Sequence, residues 1–278
     1  MSGKSMILEK NRTLNCRGKL VLLDRPLVMG ILNLTPDSFF DGGKYNCADA
    51  ALARAEQILE EGADIIDVGA YSSRPGAEHI NEEAELNRLL PTLEEFVKRF
   101  PKALISIDTF RSGVAKKALG LGAHIINDIS GGNLDSQLPA VAAKFNAPYI
   151  CMHMKGNPQN MQEGLKEKSI MPDMLSFFAH RIPKLAKTGV KDVIIDPGFG
   201  FGKTLEQNYE MVNKLSDFAI LGKPILVGVS RKSMIRLKYG DSSDQTLNGT
   251  IEVHKELLQN GANILRVHDV KEAVELIK

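Results

Sequence analysis

Eight times along its 278 residues this chain repeats one pattern: a short run rich in Val and Ile ends on polar or glycine residues, and a segment of helical periodicity follows. The apolar runs fall at 28–35, 64–69, 104–108, 124–128, 149–153, 193–196, 225–230 and 264–268. Because they are apolar nearly throughout, they suit strands covered on both faces, which favours parallel sheet over alternating hairpins. The helical segments fall at 48–61, 82–99, 112–119, 137–145, 174–187, 206–215, 246–259 and 270–277. Each connection is long enough for a crossover helix and too long for a tight turn. Eight strands alternating with eight helices predict an α/β chain folded as a (β/α)8 TIM barrel, whose usual size is about 250 residues. An open, doubly wound sheet is the other arrangement with this alternation, but no GxGxxG turn follows the first strand.

Gly62, Gly122, Gly189 and Gly261 each stand between a helical segment and the next strand, where a helix C-cap belongs. No shift in composition and no Pro/Ser-rich linker marks a boundary, so one domain over 1–278 is expected, with the barrel proper at about 27–278. Residues 14–21 read as a short N-terminal hairpin turning at Arg17-Gly18, placed to cover the bottom of the barrel.

The balance of 35 basic against 34 acidic side chains leaves a net charge of +1 and no global field for gripping nucleic acid. No apolar run is long enough to span a membrane, and the first residues lack the apolar core of a signal peptide. Three cysteines, Cys16, Cys47 and Cys151, argue for a reducing compartment, and a cytoplasmic protein is expected.

In such a barrel chemistry sits where strands lead into loops. The strand ends carry Asn33, then Ser72-Ser73-Arg74-Pro75-Gly76, Asp108, Asn127-Asp128, Met152-His153, Asp196 with a glycine-rich loop to Lys203, Ser230-Arg231-Lys232-Ser233, and Arg266 with His268. Taken singly, several have plain structural readings: Asp128 and Asp269 as caps, His153 as a core histidine, Met152 as packing that lines a cavity. The cysteines read as structural, and the histidines show no zinc-ligand spacing. Taken together, Asp108, Asn127, Asp196, Lys232 and Arg266 on one rim would be a costly cluster of charge without a ligand. Two carboxylates and an amide suit a flat, donor-rich heterocycle. Arg266, His268 and the Ser73-Arg74 loop suit an anion, so the pattern suggests a planar nitrogen heterocycle attached to a phosphate.

Asn33-Leu34-Thr35-Pro36-Asp37-Ser38-Phe39, Ser73-Arg74-Pro75-Gly76-Ala77, Asp108-Thr109, Asn127-Asp128, Met152-His153-Met154, Asp196-Pro197-Gly198-Phe199-Gly200-Phe201-Gly202-Lys203, Ser230-Arg231-Lys232-Ser233 and Arg266-Val267-His268 together resemble the dihydropteroate synthase family, in its order. The likeness runs from about residue 27 to the end. A pterin-binding methyltransferase barrel shares the aspartate–asparagine pocket but has no need of a diphosphate site. One departure stands out: the family usually has Glu-Ser-Thr-Arg-Pro after the second barrel strand, and here Tyr71-Ser72-Ser73-Arg74-Pro75 replaces it.

The resemblance implies condensation of 6-hydroxymethyl-7,8-dihydropterin diphosphate with 4-aminobenzoate in folate synthesis, by SN1-like substitution, in a homodimer of the kind that sulfonamides target. By the same likeness Asp108, Asp196 and Lys232 are catalytic, and with Asn127 and Met152 they hold the pterin. Asn33, Ser73, Arg266 and His268 take the diphosphate, with Mg²⁺ at Asn33. Phe39, Ser73, Arg74, Pro75, Phe201, Lys232 and Ser233 form the aminobenzoate site.

Overall fold

The computed structural model describes residues 13–35, 44–73, 77, 79–157, 161, 165 and 168–278, with the side chains of 44–47 left aside. The expected hairpin is present as β1 (Thr13–Cys16) and β2 (Lys19–Leu22), paired antiparallel with Cys16 opposite Lys19. Its two-residue turn places Arg17 at φ 56° and Gly18 at φ 96°, the left-handed pair that a hairpin's twist favours.

The eight strands that follow are β3 (Leu27–Asn33), β4 (Ile65–Gly69), β5 (Leu104–Asp108), β6 (Ile125–Asp128), β7 (Tyr149–Met152), β8 (Val193–Asp196), β9 (Leu226–Val227) and β10 (Ile264–Val267). All ladders are parallel, in the order β8-β7-β6-β5-β4-β3-β10-β9. A parallel bridge between Ile195 and Ile225 joins the last strand to the first and closes the barrel. Helices α1 (Lys44–Glu60), α2 (Glu82–Arg99), α3 (Ser112–Leu121), α4 (Leu138–Lys144), α5 (Met171–Thr188), α6 (Leu205–Asn213), α7 (Ser233–Tyr239) and α8 (Ser243–Gln259) lie between the strands, and α9 (Val270–Ile277) follows the last of them.

Two expectations are corrected. The seventh apolar run forms only two ladder residues, because the chain turns away after Val227: Lys232 N–H bonds Val229 O at 3.1 Å, and Arg231 is left-handed at φ 57°. Helix α7 also had no counterpart among the eight helical segments. It spans 7 residues and buries only Met234 and Ile235, too few apolar positions to show a period.

Strand residues alternate between the inside of the barrel and the helix layer. Val28, Ile66, Ile105, Ile126, Cys151, Ile195, Val227 and Leu265 pack outward with the helices. Leu27, Met29, Ile65, Leu104, Ile125, Ile150, Ile194, Leu226 and Ile264 point inward at the N-terminal end, closed from below by Leu14 and Cys16 of β1. The hairpin therefore does cover the bottom of the barrel. Arg17 fixes it there by donating to Leu119 O at 2.7 Å and Ala123 O at 2.5 Å.

Candidate active site

Continuing each inward register upward replaces apolar side chains with polar ones. In β4 the series is Ile65, Asp67, Gly69; in β5 it is Leu104, Ser106, Asp108; in β10 it is Ile264, then Arg266. Asn33, Gly69, Asp108 and Asn127 are successive register partners across β3, β4, β5 and β6. A Cβ on Gly69 would stand 3.3 Å from Asp108 Cβ and 3.7 Å from Asn33 Oδ1. The bare glycine thus leaves room for both neighbouring side chains.

Arg266 is the centre of this rim. Its Nε donates to Asp67 Oδ2 at 2.6 Å and its Nη2 to Asp108 Oδ2 at 2.7 Å. Asn127 Nδ2 donates to the same Asp67 oxygen at 2.9 Å. Burial works against the guanidinium charge, but Asp67 and Asp108 outweigh it and raise the Arg266 pKa. Burial likewise pushes Asp108 above the usual carboxylate range, against the pull of Arg266. Two edges of Arg266, expected on an anion, are therefore held by carboxylates that fix its orientation.

Across the mouth, Met152 of β7 is the register partner of Asp196 at the end of β8. Asp196 Oδ1 accepts from Gly198 N–H at 2.7 Å, and burial raises its pKa while Lys232 opposes the shift. Gly198 is left-handed at φ 72°, and a Cβ there would fall 2.1 Å from His153 O, so only glycine fits. Lys203, 4% exposed, turns back under this loop and donates to His153 O, Gly198 O and Phe201 O at 3.1, 2.9 and 2.9 Å. Lys232 donates to Phe199 O at 2.6 Å with its ammonium 4.6 Å from the Phe201 ring centroid. Burial lowers its pKa to about 8, with Asp196 holding it up. The glycine loop, Phe201 and Lys232 thus form one wall.

His268 stands beside Ser230, whose Oγ accepts from the His268 backbone N–H at 3.2 Å and lies 3.3 Å from Nδ1. Ser233 opens α7 and is exposed. Ser73 is half-buried just beyond β4. Phe39, Arg74 and Pro75 lie outside the described residues. The structural readings fit their positions: Asp128 accepts from Ser130, Gly132 and Tyr149 in the core, and Asp269 pairs with Arg231 through bonds of 2.9 and 2.5 Å. Cys16 and Cys151 are buried free thiols.

Sequence reasoning passed over Asp67 and Lys203. Asp67 had a usable signal, an acid at an inward position of an otherwise Ile/Val strand. Lys203 closed the glycine-loop motif but was given no role, since a lysine after a glycine loop normally reads as solvated.

An apolar-floored parallel barrel with convergent carboxylates, an amide, a lysine and a buried arginine at its C-terminal mouth has the makings of a site for a planar heterocycle and an anion. The model of one family, described as pterin binding enzyme, matches residues 29–268. The chain belongs to this family of pterin-binding enzymes. It is 41% identical over 264 residues to the dihydropteroate synthase of Escherichia coli (strain K12), covering 94% of this chain and 93% of that one. The Xanthomonas albilineans dihydropteroate synthase solved with 4-aminobenzoic acid superposes at a TM-score of 0.89 with 36% identity, over 96% of both chains. That of Yersinia pestis in complex with a sulfonamide drug gives 0.88 and 41%, over 96% of this chain and 97% of that one. Within the family, the chain falls among the dihydropteroate synthases.

Proposed function

We propose that this chain joins 6-hydroxymethyl-7,8-dihydropterin diphosphate to 4-aminobenzoate, giving 7,8-dihydropteroate and diphosphate. The C–O bond to diphosphate breaks, the C–N bond to the arylamine forms, and the amine proton leaves to solvent. The observation that carries this reading is the joint placement of Asp108, Asn127, Asp196, Lys232 and Arg266 at one barrel mouth.

Asp196, Asp108 and Asn127 offer acceptors to the amino and ring N–H donors of the pterin, and Lys232 donates to a ring oxygen or nitrogen. As the C–O bond breaks, positive charge develops on the pterin methylene and spreads into the ring. Buried carboxylates stabilise that charge more than they stabilise the neutral ground state, which is the condition for catalysis. Arg266 and His268 face the leaving group, and Asp67 keeps the guanidinium aimed. The arylamine is uncharged at neutral pH and needs no strong base to attack the pterin methylene.

No group of three or more His, Cys, Asp or Glu that could hold a metal ion occurs among the described residues. The donors present fit a Mg²⁺ that arrives with the diphosphate, since Asn33 supplies one amide oxygen and magnesium otherwise keeps waters and phosphate oxygens. Bound there, it would neutralise charge on the departing diphosphate. This reading assigns the aminobenzoate to Ser73, Phe201, Lys232 and Ser233, and by the family resemblance to Phe39, Arg74 and Pro75, and a sulfonamide would compete there. A homodimer follows from the family resemblance. Free buried thiols, and the lack of any described helix long and apolar enough to cross a membrane, support a place in the cytoplasm.

Incubation of the purified chain with pterin diphosphate, 4-aminobenzoate and Mg²⁺ should yield dihydropteroate and diphosphate in equal amounts by chromatography. No product under these conditions overturns the assignment.

A further inference from the structure

Tyr71, where the sequence departs from the family pattern, stands two residues beyond the end of β4. Its side chain is 8% exposed and engaged on several sides. Its ring meets Phe110 edge-on, with centroids 5.0 Å apart and planes at 88°. The Arg111 guanidinium lies over both rings, 5.3 Å from the Tyr71 centroid and 4.7 Å from that of Phe110. The Tyr71 hydroxyl is 3.1 Å from Nδ1 of His79, eight positions along the chain. Ser72 and Ser73 therefore leave β4 from a residue held by side-chain contacts as well as by the ladder.

Arg111 extends the cluster in two directions. It donates to Ile80 O at 2.5 Å and pairs with Glu85 of α2. Glu85 also accepts from the Thr109 hydroxyl at 2.7 Å, and Thr109 directly follows Asp108. One cluster thus ties the exit of β4, the entry to α2 and the exit of β5. A carboxylate at position 71 would compete with Glu85 for the Arg111 charge. Tyrosine instead offers its ring face to the cation and its hydroxyl to His79.

We propose that Tyr71 and His79 are a positioning pair: their hydrogen bond, braced by Arg111, fixes how Ser72 and Ser73 leave β4 and so sets affinity for the arylamine substrate without touching it. This rests on the reading given under Proposed function. A neutral hydrogen bond of this kind corresponds to a factor of about two to ten in affinity.

The test is steady-state kinetics on the full chain, varying 4-aminobenzoate at saturating pterin diphosphate. Tyr71→Phe and His79→Ala should each raise the KM for aminobenzoate about two- to tenfold, with kcat unchanged and a smaller rise in the KM for pterin diphosphate, which Ser73 shares with Asn33, Arg266 and His268. The double variant should be no worse than either single one, because both remove the same bond. His79→Gln, which keeps a polar partner for the hydroxyl, should restore the wild-type KM. An unmoved aminobenzoate KM in Tyr71→Phe, additive losses in the double variant, or equal shifts for both substrates overturns the pair while leaving the synthase reading intact. A wild-type chain that makes no dihydropteroate overturns both.

Discussion

The two ends of the barrel interior are built from alternate residues of the same strands, yet they are opposite in kind. Ile65, Leu104, Ile125, Ile150, Ile194, Leu226 and Ile264 fill the lower end. One or two inward positions further along, six of these seven strands carry Asp67, Asp108, Asn127, Met152, Asp196 and Arg266. The floor is held by apolar burial, worth about 25 cal/mol per Å². The rim pays for its buried charges in desolvation, which the Asp67–Arg266–Asp108 contacts offset only with good geometry. The contrast teaches that stability and chemistry occupy different layers of one tube, so substitutions at the two levels should separate them.

The largest effect is expected at the rim. Asp196→Asn removes the charge that stabilises the cationic pterin, and turnover should fall by about 10²–10³-fold. Its melting temperature should hold or rise, because the buried carboxylate is held at a cost. Turnover near wild type, or a collapsed fold, would make Asp196 structural and erase the contrast.

Ile194→Ala, at the floor on the same strand, should do the reverse. Truncating this fully buried side chain should lower unfolding free energy by about 2–5 kcal/mol in denaturant titrations. Both KM values should stay unchanged wherever the protein remains folded. Altered substrate affinity would show that the layers are coupled.

Asp67→Asn sits between the layers. Asp67 is fully buried and holds Arg266 and Asn127 through one oxygen. The amide keeps the shape but not the charge, so kcat/KM for pterin diphosphate should drop by roughly tenfold. An unchanged value would mean that Asp108 alone orients the arginine.

The smallest effect concerns acid. His254 is buried in α8, and burial lowers its pKa to about 4. The unfolded chain binds that proton near pH 6.5, so this histidine's share of stability is lost as pH falls through the range from 6.5 to 4. Buried rim carboxylates such as Asp196, whose pKa is raised, act with the opposite sign. The difference between variants is therefore the clean measurement. Denaturant titrations at pH 7 and pH 5 should show His254→Gln losing less stability than wild type, by about 1–2 kcal/mol. An equal loss would mean that His254 is charged in the folded state.

Much of the architecture was legible in the sequence because it rests on local signals. Strands 104–108 and 193–196 and helices 82–99 and 270–277 stand where periodicity places them. The hairpin turn at Arg17-Gly18 was legible for the same reason. The ends of β9 and the extent of α7 were not, since a ladder ends where a turn elsewhere pulls the chain away, and a short helix buries too little to show a period. At the site, motif residues reported which chemistry was present and on which strand ends.

The sequence by itself determined the alternation of strand and helix, hence a parallel barrel, and the set of polar residues at its C-terminal mouth. Both depend on residue type and spacing, which are properties of the chain. Only the tertiary structure decided who holds whom. Asp67 meets Arg266 across 199 positions of sequence, Lys203 folds back beneath the glycine loop, and Tyr71 is joined to His79 rather than facing solvent. The first arises where closure of the barrel brings distant inward positions within hydrogen-bond reach, the others where a loop folds back on itself or on the next strand end, and no local propensity encodes either.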